Sequence, residues 1–385
     1  MNPLLELARL FLKLGVIGFG GPAAHIAMME DEVVTRRKWM SRQHFLDLIG
    51  ATNLIPGPNS TEMTMHVGYQ RAGFVGLVVA GVCFILPAAL STGLLAWAYV
   101  RYGQVPQIEP FLYGIKPAVL IVILAAIRKL AGKAMKGWRL NVIGVLVIVL
   151  ALGGMNEVLA ILLGGIVGML WLRSTGGDPG TKQGFLPPPL PGAAEGAGIA
   201  AGAAATGFAA VSLGQLFLVF LKIGAVLFGS GYVLIAFMEG ELVQGLGWLT
   251  QTQLLDAIAI GQFTPGPVLS TATFVGYQIA GVSGAVVATL GIFLPSFLFV
   301  ALLNPLVPRL RQSPWSAAFL DSVNVAALGL MAAVTLELGV STLVDWRAIA
   351  VAVVALAAVL FRPGLSAPWL VVGGAILGYL LHLVG

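Results

Sequence analysis

The chain is poor in charge. Of its 385 residues only 10% are Asp, Glu, Lys or Arg, where soluble domains carry roughly 25%. So few polar groups could not cover the surface of a soluble protein this large, which excludes that class. Cysteine is nearly absent. Cys83 stands alone in an apolar stretch, which excludes an internal disulfide and a thiolate metal cluster. The four histidines, His25, His44, His66 and His382, form no ligand-spaced group, so neither metal nor other cofactor is expected. No nucleophile, base and orienting group fall together, and the chain does not read as an enzyme. The net charge of +5 reports orientation in a bilayer rather than a nucleic-acid partner.

Apolar sequence is what the chain has in abundance. Hydrophobic residues make up 58% and the mean hydropathy is +0.95. Runs of about 20 apolar residues, the length that crosses a bilayer, recur from Gly73 to Val100 and from Gly284 to Leu303. No cleavable signal peptide is expected, because Glu6, Arg9 and Lys13 interrupt the first apolar segment.

The chain also repeats itself. Phe11-Leu-Lys-Leu-Gly15 returns as Phe220-Leu-Lys-Ile-Gly224. Phe19-Gly20 returns as Phe228-Gly229, Glu30 and Glu32 as Glu239 and Glu241, Trp39 as Trp248, and Asp47 as Asp256. Pro56-Gly57-Pro58 returns as Pro265-Gly266-Pro267, and Leu86-Pro87 as Leu294-Pro295. A solenoid repeats every 20–50 residues or so; this spacing is far longer and marks a duplicated domain. In an apolar chain with glycine- and proline-broken segments, duplication points to a transporter whose substrate site lies between the halves. Residues 1–173 and 214–385 form the two repeats. Residues 174–213, with Pro187-Pro188-Pro189 and a Gly/Ala tract, read as a flexible linker.

Each half shows six apolar segments. In the first they lie near 7–29, 45–69, 73–99, 108–127, 140–153 and 158–171, and in the second near 216–238, 254–277, 282–303, 317–337, 348–361 and 368–384. Pro-Gly-Pro interrupts the second segment of each half. Broken backbone at membrane depth is tolerated only inside protein or against a water-filled cavity. These segments therefore read as pairs of half-helices, re-entrant hairpins, with a kinked spanning helix as the alternative. Basic residues cluster at Arg36, Arg37, Lys38 and Arg42 and again at Arg128, Lys129, Lys133, Lys136 and Arg139, while Gly240 to Thr252 and Leu338 to Trp346 in the second half have none. The positive-inside rule then orients the halves oppositely. The expected fold is an all-α polytopic membrane protein of two inverted-topology repeats with broken or re-entrant helices and five crossings per half.

Two kinds of break could hold a ligand. Gly18-Phe19-Gly20-Gly21-Pro22 has Phe228-Gly229-Ser230-Gly231 as its copy. Pro56-Gly57-Pro58-Asn59-Ser60-Thr61-Glu62 has Pro265-Gly266-Pro267, followed by Ser270 and Thr271. Proline suits the first position of a helix, so Pro22, Pro58 and Pro267 could each open a half-helix whose free amides and positive dipole end favour an anion. Ser60, Thr61, Ser270 and Thr271 add hydroxyls. The bland reading is a packing kink with self-capping Ser and Thr. Lys13 and Lys222 read either as counter-charges to a dianion or as snorkelling interface residues. Glu30, Glu62 and Glu239 are candidates for proton coupling, with Glu30 and Glu239 as interface anchors in the alternative. His25, one turn past Pro22, matches Leu234, and Asn59 matches Val268, so the site is expected to be asymmetric. Gly18-x-Gly20-x-x-Ala23 resembles a dinucleotide fingerprint but lacks its strand and βαβ setting.

At these residues the chain resembles the chromate ion transporter family in its two-domain long form. The resemblance rests on Phe19-Gly20-Gly21-Pro22 with Ala24-His25, the run Met28-Met29-Glu30, Trp39, and Pro56-Gly57-Pro58 followed by Ser60-Thr61-Glu62. In the second copy it rests on Phe228-Gly229, Glu239, Trp248 and Pro265-Gly266-Pro267. The chain departs from the motif at Ser230-Gly231, where the first half has Gly21-Pro22. The resemblance implies an inner-membrane exporter of chromate that gives resistance, with sulfate as the related oxyanion. The expected partners are that substrate and the lipid bilayer; a homodimer stays open.

Overall fold

The computed structural model describes residues 2–18, 21–52, 55–103, 109–135, 137–175, 211–228, 231–303, 313–362, 365 and 367–384. Among these the chain is helical and has no strand. The first half holds α1 (Pro3–Ile17), α2 (Gly21–Glu30), α3 (Arg42–Thr52), α4 (Asn59–Tyr102), α5 (Glu109–Ala134), α6 (Trp138–Leu152) and α7 (Glu157–Thr175). The second holds α8 (Leu213–Val226), α9 (Leu234–Met238), α10 (Gln251–Phe263), α11 (Thr271–Leu303), α12 (Pro314–Thr342), α13 (Trp346–Phe361) and α14 (Ala367–Val384). Each half carries one π-helical turn, Asp31–Arg36 after α2 and Glu239–Gly245 after α9. Gly20, Gly229 and nearly all of the expected linker lie outside the described residues.

Local chemistry sets the helix ends. Asn2 caps α1 by accepting from the Leu4 amide, with Pro3 at the first helical position. Thr250 and Gln253 form a reciprocal capping box on α10, and Asp345 caps α13 through the Ala348 amide at 2.8 Å.

Both α4 and α11 fold back on themselves. Ala72-Gly73 and Ala280-Gly281 leave helical geometry, with Gly73 at φ +60° and Gly281 at φ +61°. A Cβ on Gly68 would run into the Gly76 carbonyl, and one on Gly276 into that of Gly284. Residues eight apart in a straight helix lie about 12 Å apart. Each helix is therefore a short arm, 59–71 or 271–279, packed antiparallel on a long arm, 74–102 or 282–303. Gly73 and Gly281 turn the corner because they accept a positive φ.

One expectation needs correction. The segment Leu7–Met29 does not cross. Glu32 meets Lys13 at 2.7 Å. Arg71 reaches Glu6 at 2.9 Å and lies over the Trp39 ring, 5.0 Å from its centroid. Residues 6, 39 and 71 thus share one level, so both α1–α2 and α3–short arm run inward and return. The Gly18 break lets α2 reverse, and the Lys13–Glu32 pair ties its end to α1. Among the described residues each half then has four candidate crossing helices rather than five, the long arm and the three that follow it, so an odd count of crossings no longer argues for inversion.

Five helices, α4, α5, α7, α11 and α12, are long and apolar enough to cross a membrane. On the long arms Val82, Leu86, Leu90 and Leu94, and Val282, Val286, Leu290, Leu294, Leu298 and Leu302, are exposed at helical spacing. An apolar stripe of that kind on the outside fits lipid. This is a multi-pass membrane protein. The halves interlock inside it: α7 packs on α12, α14 on α5, and α4 on α11.

Candidate functional site

The four helix breaks meet in two crossed pairs. α1 stops at Ile17, and α8 stops at Val226, leaving the carbonyls of Gly18 and Leu227 without helical partners. The Gly57 amide donates to the Leu227 carbonyl at 2.7 Å, and the Gly266 amide donates to the Gly18 carbonyl at 2.7 Å. Each Pro-Gly-Pro turn is thus completed by the other half. The turns need glycine, since Gly57 sits at φ +144° and Gly266 at φ +92°. Pro58 takes the cap position, and α4 opens one residue later at Asn59. Pro267 caps a single 3-10 turn, Val268–Ser270, before α11 begins. Both prolines therefore sit one place before the first helical position expected of them, whereas Pro22 lies within the first turn of α2.

The first-half junction carries a buried polar relay. His25 Nε2 lies 2.9 Å from the Gly18 carbonyl oxygen and Nδ1 lies 3.2 Å from Ser60 Oγ. A carbonyl only accepts, so Nε2 carries the proton and Nδ1 accepts from the Ser60 hydroxyl. His25 is 2% exposed and stands edge-on to Phe84. Thr64 Oγ1 donates to the Ser60 carbonyl at 3.0 Å. His25 lies in α2 and Ser60 in the first turn of α4, so two half-helix starts are tied side by side. Their dipoles favour an anion at this end. On the other side of the interface Thr92 Oγ1 donates to Ser270 Oγ at 3.2 Å, from one half to the other, while the Thr271 hydroxyl caps the Val268 carbonyl at 2.8 Å.

The charged candidates lie elsewhere. Lys13 pairs with Glu32, and its side chain is half exposed. That hydrogen bond, helped by Arg37, holds the Glu32 carboxyl below the usual carboxylate range. Lys222 pairs with Glu241 in the same way. These pairs brace the hairpins. Glu30 pairs with Arg42 at 3.0 Å. Glu239 is buried and accepts from Gln251 Nε2 at 2.9 Å. Glu62, by contrast, is fully buried at the first Pro-Gly-Pro turn. Ser296 and Thr92 belong to the interface and were not picked from the sequence. Ser296 had one signal, a hydroxyl following the copied Leu294-Pro295 where the first half has Ala88. Among the described residues no group of three or more His, Cys, Asp and Glu could hold a metal ion.

Two helical repeats whose broken, polar hairpins meet inside an apolar bundle define a membrane transport protein. The family model for the chromate transporter matches residues 5–169 and 214–379, and the chain belongs to that family. It is 32% identical to the chromate transport protein of Cupriavidus metallidurans over 98% of this chain and 93% of the relative. A probable chromate transport protein of Synechococcus elongatus is 32% identical over 92% of this chain and 89% of its own. The chromate transport protein of Pseudomonas aeruginosa is 32% identical over 86% and 80%. No solved structure matches.

Proposed function

We propose that this protein exports chromate across the inner membrane by alternating access and so confers chromate resistance. Family membership supports chromate transport. The observation that carries the site is the junction of crossed breaks, where Ser60 and His25 from one half and Ser270 from the other lie buried beside helix starts. Chromate, a tetrahedral dianion, would accept from the Ser270 hydroxyl, from first-turn amides of α4 and, once it turns away from His25 Nδ1, from the Ser60 hydroxyl. Lys13 and Lys222, each neutralised by a glutamate, stay outside its first contacts. Residues 1–173 and 214–385 act as the two moving units.

Two contacts support an inverted arrangement of the halves. The first-half hairpins open at the level of Glu6, Trp39 and Arg71. The long arm, α5 and α6 cross in turn, which starts α7 at the opposite level. There Glu157 lies against Gly240 in the mouth of a second-half hairpin. Tyr99, near the far end of the long arm, donates to Asp256 of α10 at 2.6 Å. Opposed repeats around one site are the usual frame for alternating access. A cytoplasm-negative potential drives a dianion outward by about 2.3 kcal/mol per charge per 100 mV, so export needs no other energy source.

The test is chromate uptake into inside-out vesicles. Ser60→Ala, which removes one hydrogen bond, lowers the rate roughly tenfold, and Lys13→Ala changes it little. A wild-type rate in Ser60→Ala and in His25→Ala sinks the site. Inhibition of uptake by sulfate would widen the substrate to both oxyanions.

A further inference from the structure

The first Pro-Gly-Pro turn holds buried polar groups with nothing to bond. Both carboxyl oxygens of Glu62, the Thr61 hydroxyl and the Ser296 hydroxyl lack hydrogen-bond partners among the described residues. All three side chains are 0% exposed. Glu62 and Ser296 come from opposite halves and meet at Gly57, where an added Cβ would strike Glu62 Oε1 and Ser296 Oγ together. Buried polar atoms in native proteins are paired in the great majority of cases. Several orphans at one point, one turn from a helix start, mark the place of a missing ligand.

The charges around Glu62 do not neutralise it. Lys13 is held by Glu32, and Lys222 by Glu241. On α2 the facing group is His25, engaged with Gly18 and Ser60. On α4 the next titratable residue is His66, and α3 carries His44 and Asp47. On α11, which supplies Ser296, the only titratable residue is Tyr277. The donor facing it is the single neutral hydroxyl of Ser296, and a buried carboxylate with no cation and so little donation is strongly disfavoured. The form this packing admits is the neutral acid, which has an O–H to give.

We propose that Glu62, as a neutral acid, and Ser296 form a cross-half pair of O–H donors for the transported oxyanion, so that each anion bound takes up one proton. Thr61, next in the chain, offers a third hydroxyl. This rests on the transport reading above and names residues and a proton that complete its site. When the junction opens to water Glu62 ionises. Closing around the anion draws one proton from solution onto its carboxyl oxygen, and no bond within the anion changes. The second half has no equivalent, because Thr271 stands in this turn and Ala88 stands where Ser296 does.

The test uses the purified full-length protein in detergent at alkaline pH, where chromate carries no proton of its own. Chromate binding is followed by calorimetry in two buffers of different ionisation heat, which counts protons. The wild type is expected to take up about one proton per chromate, with Kd rising roughly tenfold per pH unit. Glu62→Gln keeps a donor, so it binds within a few fold but takes up no proton and has a flat pH profile. Ser296→Ala weakens binding roughly tenfold and keeps the proton. Chromate binding by the wild type without proton uptake overturns the pair, as does proton uptake by Glu62→Gln. The wild-type count and Ser296→Ala stand even if Glu62→Gln does not fold. Proton uptake with sulfate but no binding of chromate supports the pair and overturns the chromate reading; binding of neither anion overturns both.

Discussion

Replacing Gly266 by alanine tests whether the crossed breaks hold the halves together. Two costs add. Alanine at φ +92° leaves its allowed region, at about 1–2 kcal/mol. Its Cβ also comes within 2.8 Å of the Ala88 Cβ on the long arm of α4, and such overpacking costs about 1–3 kcal/mol. The expected destabilisation is therefore about 2–5 kcal/mol. Gly73→Ala isolates a backbone cost without a clash. Gly73 has φ +60° and ψ −152°, a region open almost only to glycine, and nothing within 4 Å of an added Cβ. Ala88→Gly should cost about 1 kcal/mol in the wild type through helix propensity, yet recover stability when combined with Gly266→Ala. That coupling is the signature of the clash. The assay is the thermal unfolding midpoint of the wild type and these four variants, purified in one detergent. The reasoning is refuted if Gly266→Ala does not lower the midpoint, or if Ala88→Gly recovers nothing.

Three further outcomes follow from single contacts. Tyr99→Phe leaves the buried Asp256 carboxylate without its hydroxyl donor, which should cost about 1–3 kcal/mol and lower the unfolding midpoint. His25→Ala removes both the Gly18 and Ser60 contacts; His25→Gln should restore part of the transport rate because an amide can still donate at one end and accept at the other. Glu32 has a lowered folded-state pKa, so its contribution is present above the unfolded value near 4.3 and is lost as pH falls through the folded value. Lys13→Ala should shrink that acid-side loss, by less than about 1 kcal/mol for so exposed a lysine, in midpoints measured from about pH 6 down to pH 3.

Much of this architecture was legible because duplication writes its signature in residue pairs. Pro-Gly-Pro at residues 56–58 and 265–267 announced the breaks, since proline forbids an unbroken helix whatever its surroundings. The first hairpin was harder to see. The run from Leu7 to Met29 is long and apolar, as a crossing helix is, and what makes it return is Glu32 meeting Lys13, which no local pattern states. Lys13 is a similar case: its carboxylate partner Glu32 lies 19 residues on, and no local pattern states that they meet. Ser296 was missed because a serine in a membrane helix commonly bonds its own backbone; its lack of a partner is a tertiary fact. The orphaned oxygens of Glu62 belong to the same class.

The exchange of backbone bonds between Gly57 and Leu227, and between Gly266 and Gly18, makes each half an unfinished object. A half alone would hold a proline-flanked turn with a bare amide, and the second half would also leave the Leu227 carbonyl bare at its helix end. The only structure that supplies the missing partners is the other half in its own matching place. Severing the chain between residues 175 and 211 should thus yield fragments that recover a folded protein when made together and not when made apart. It also means that the two copies could not drift independently after duplication, because a change in the first break of either copy is felt in the turn of its twin.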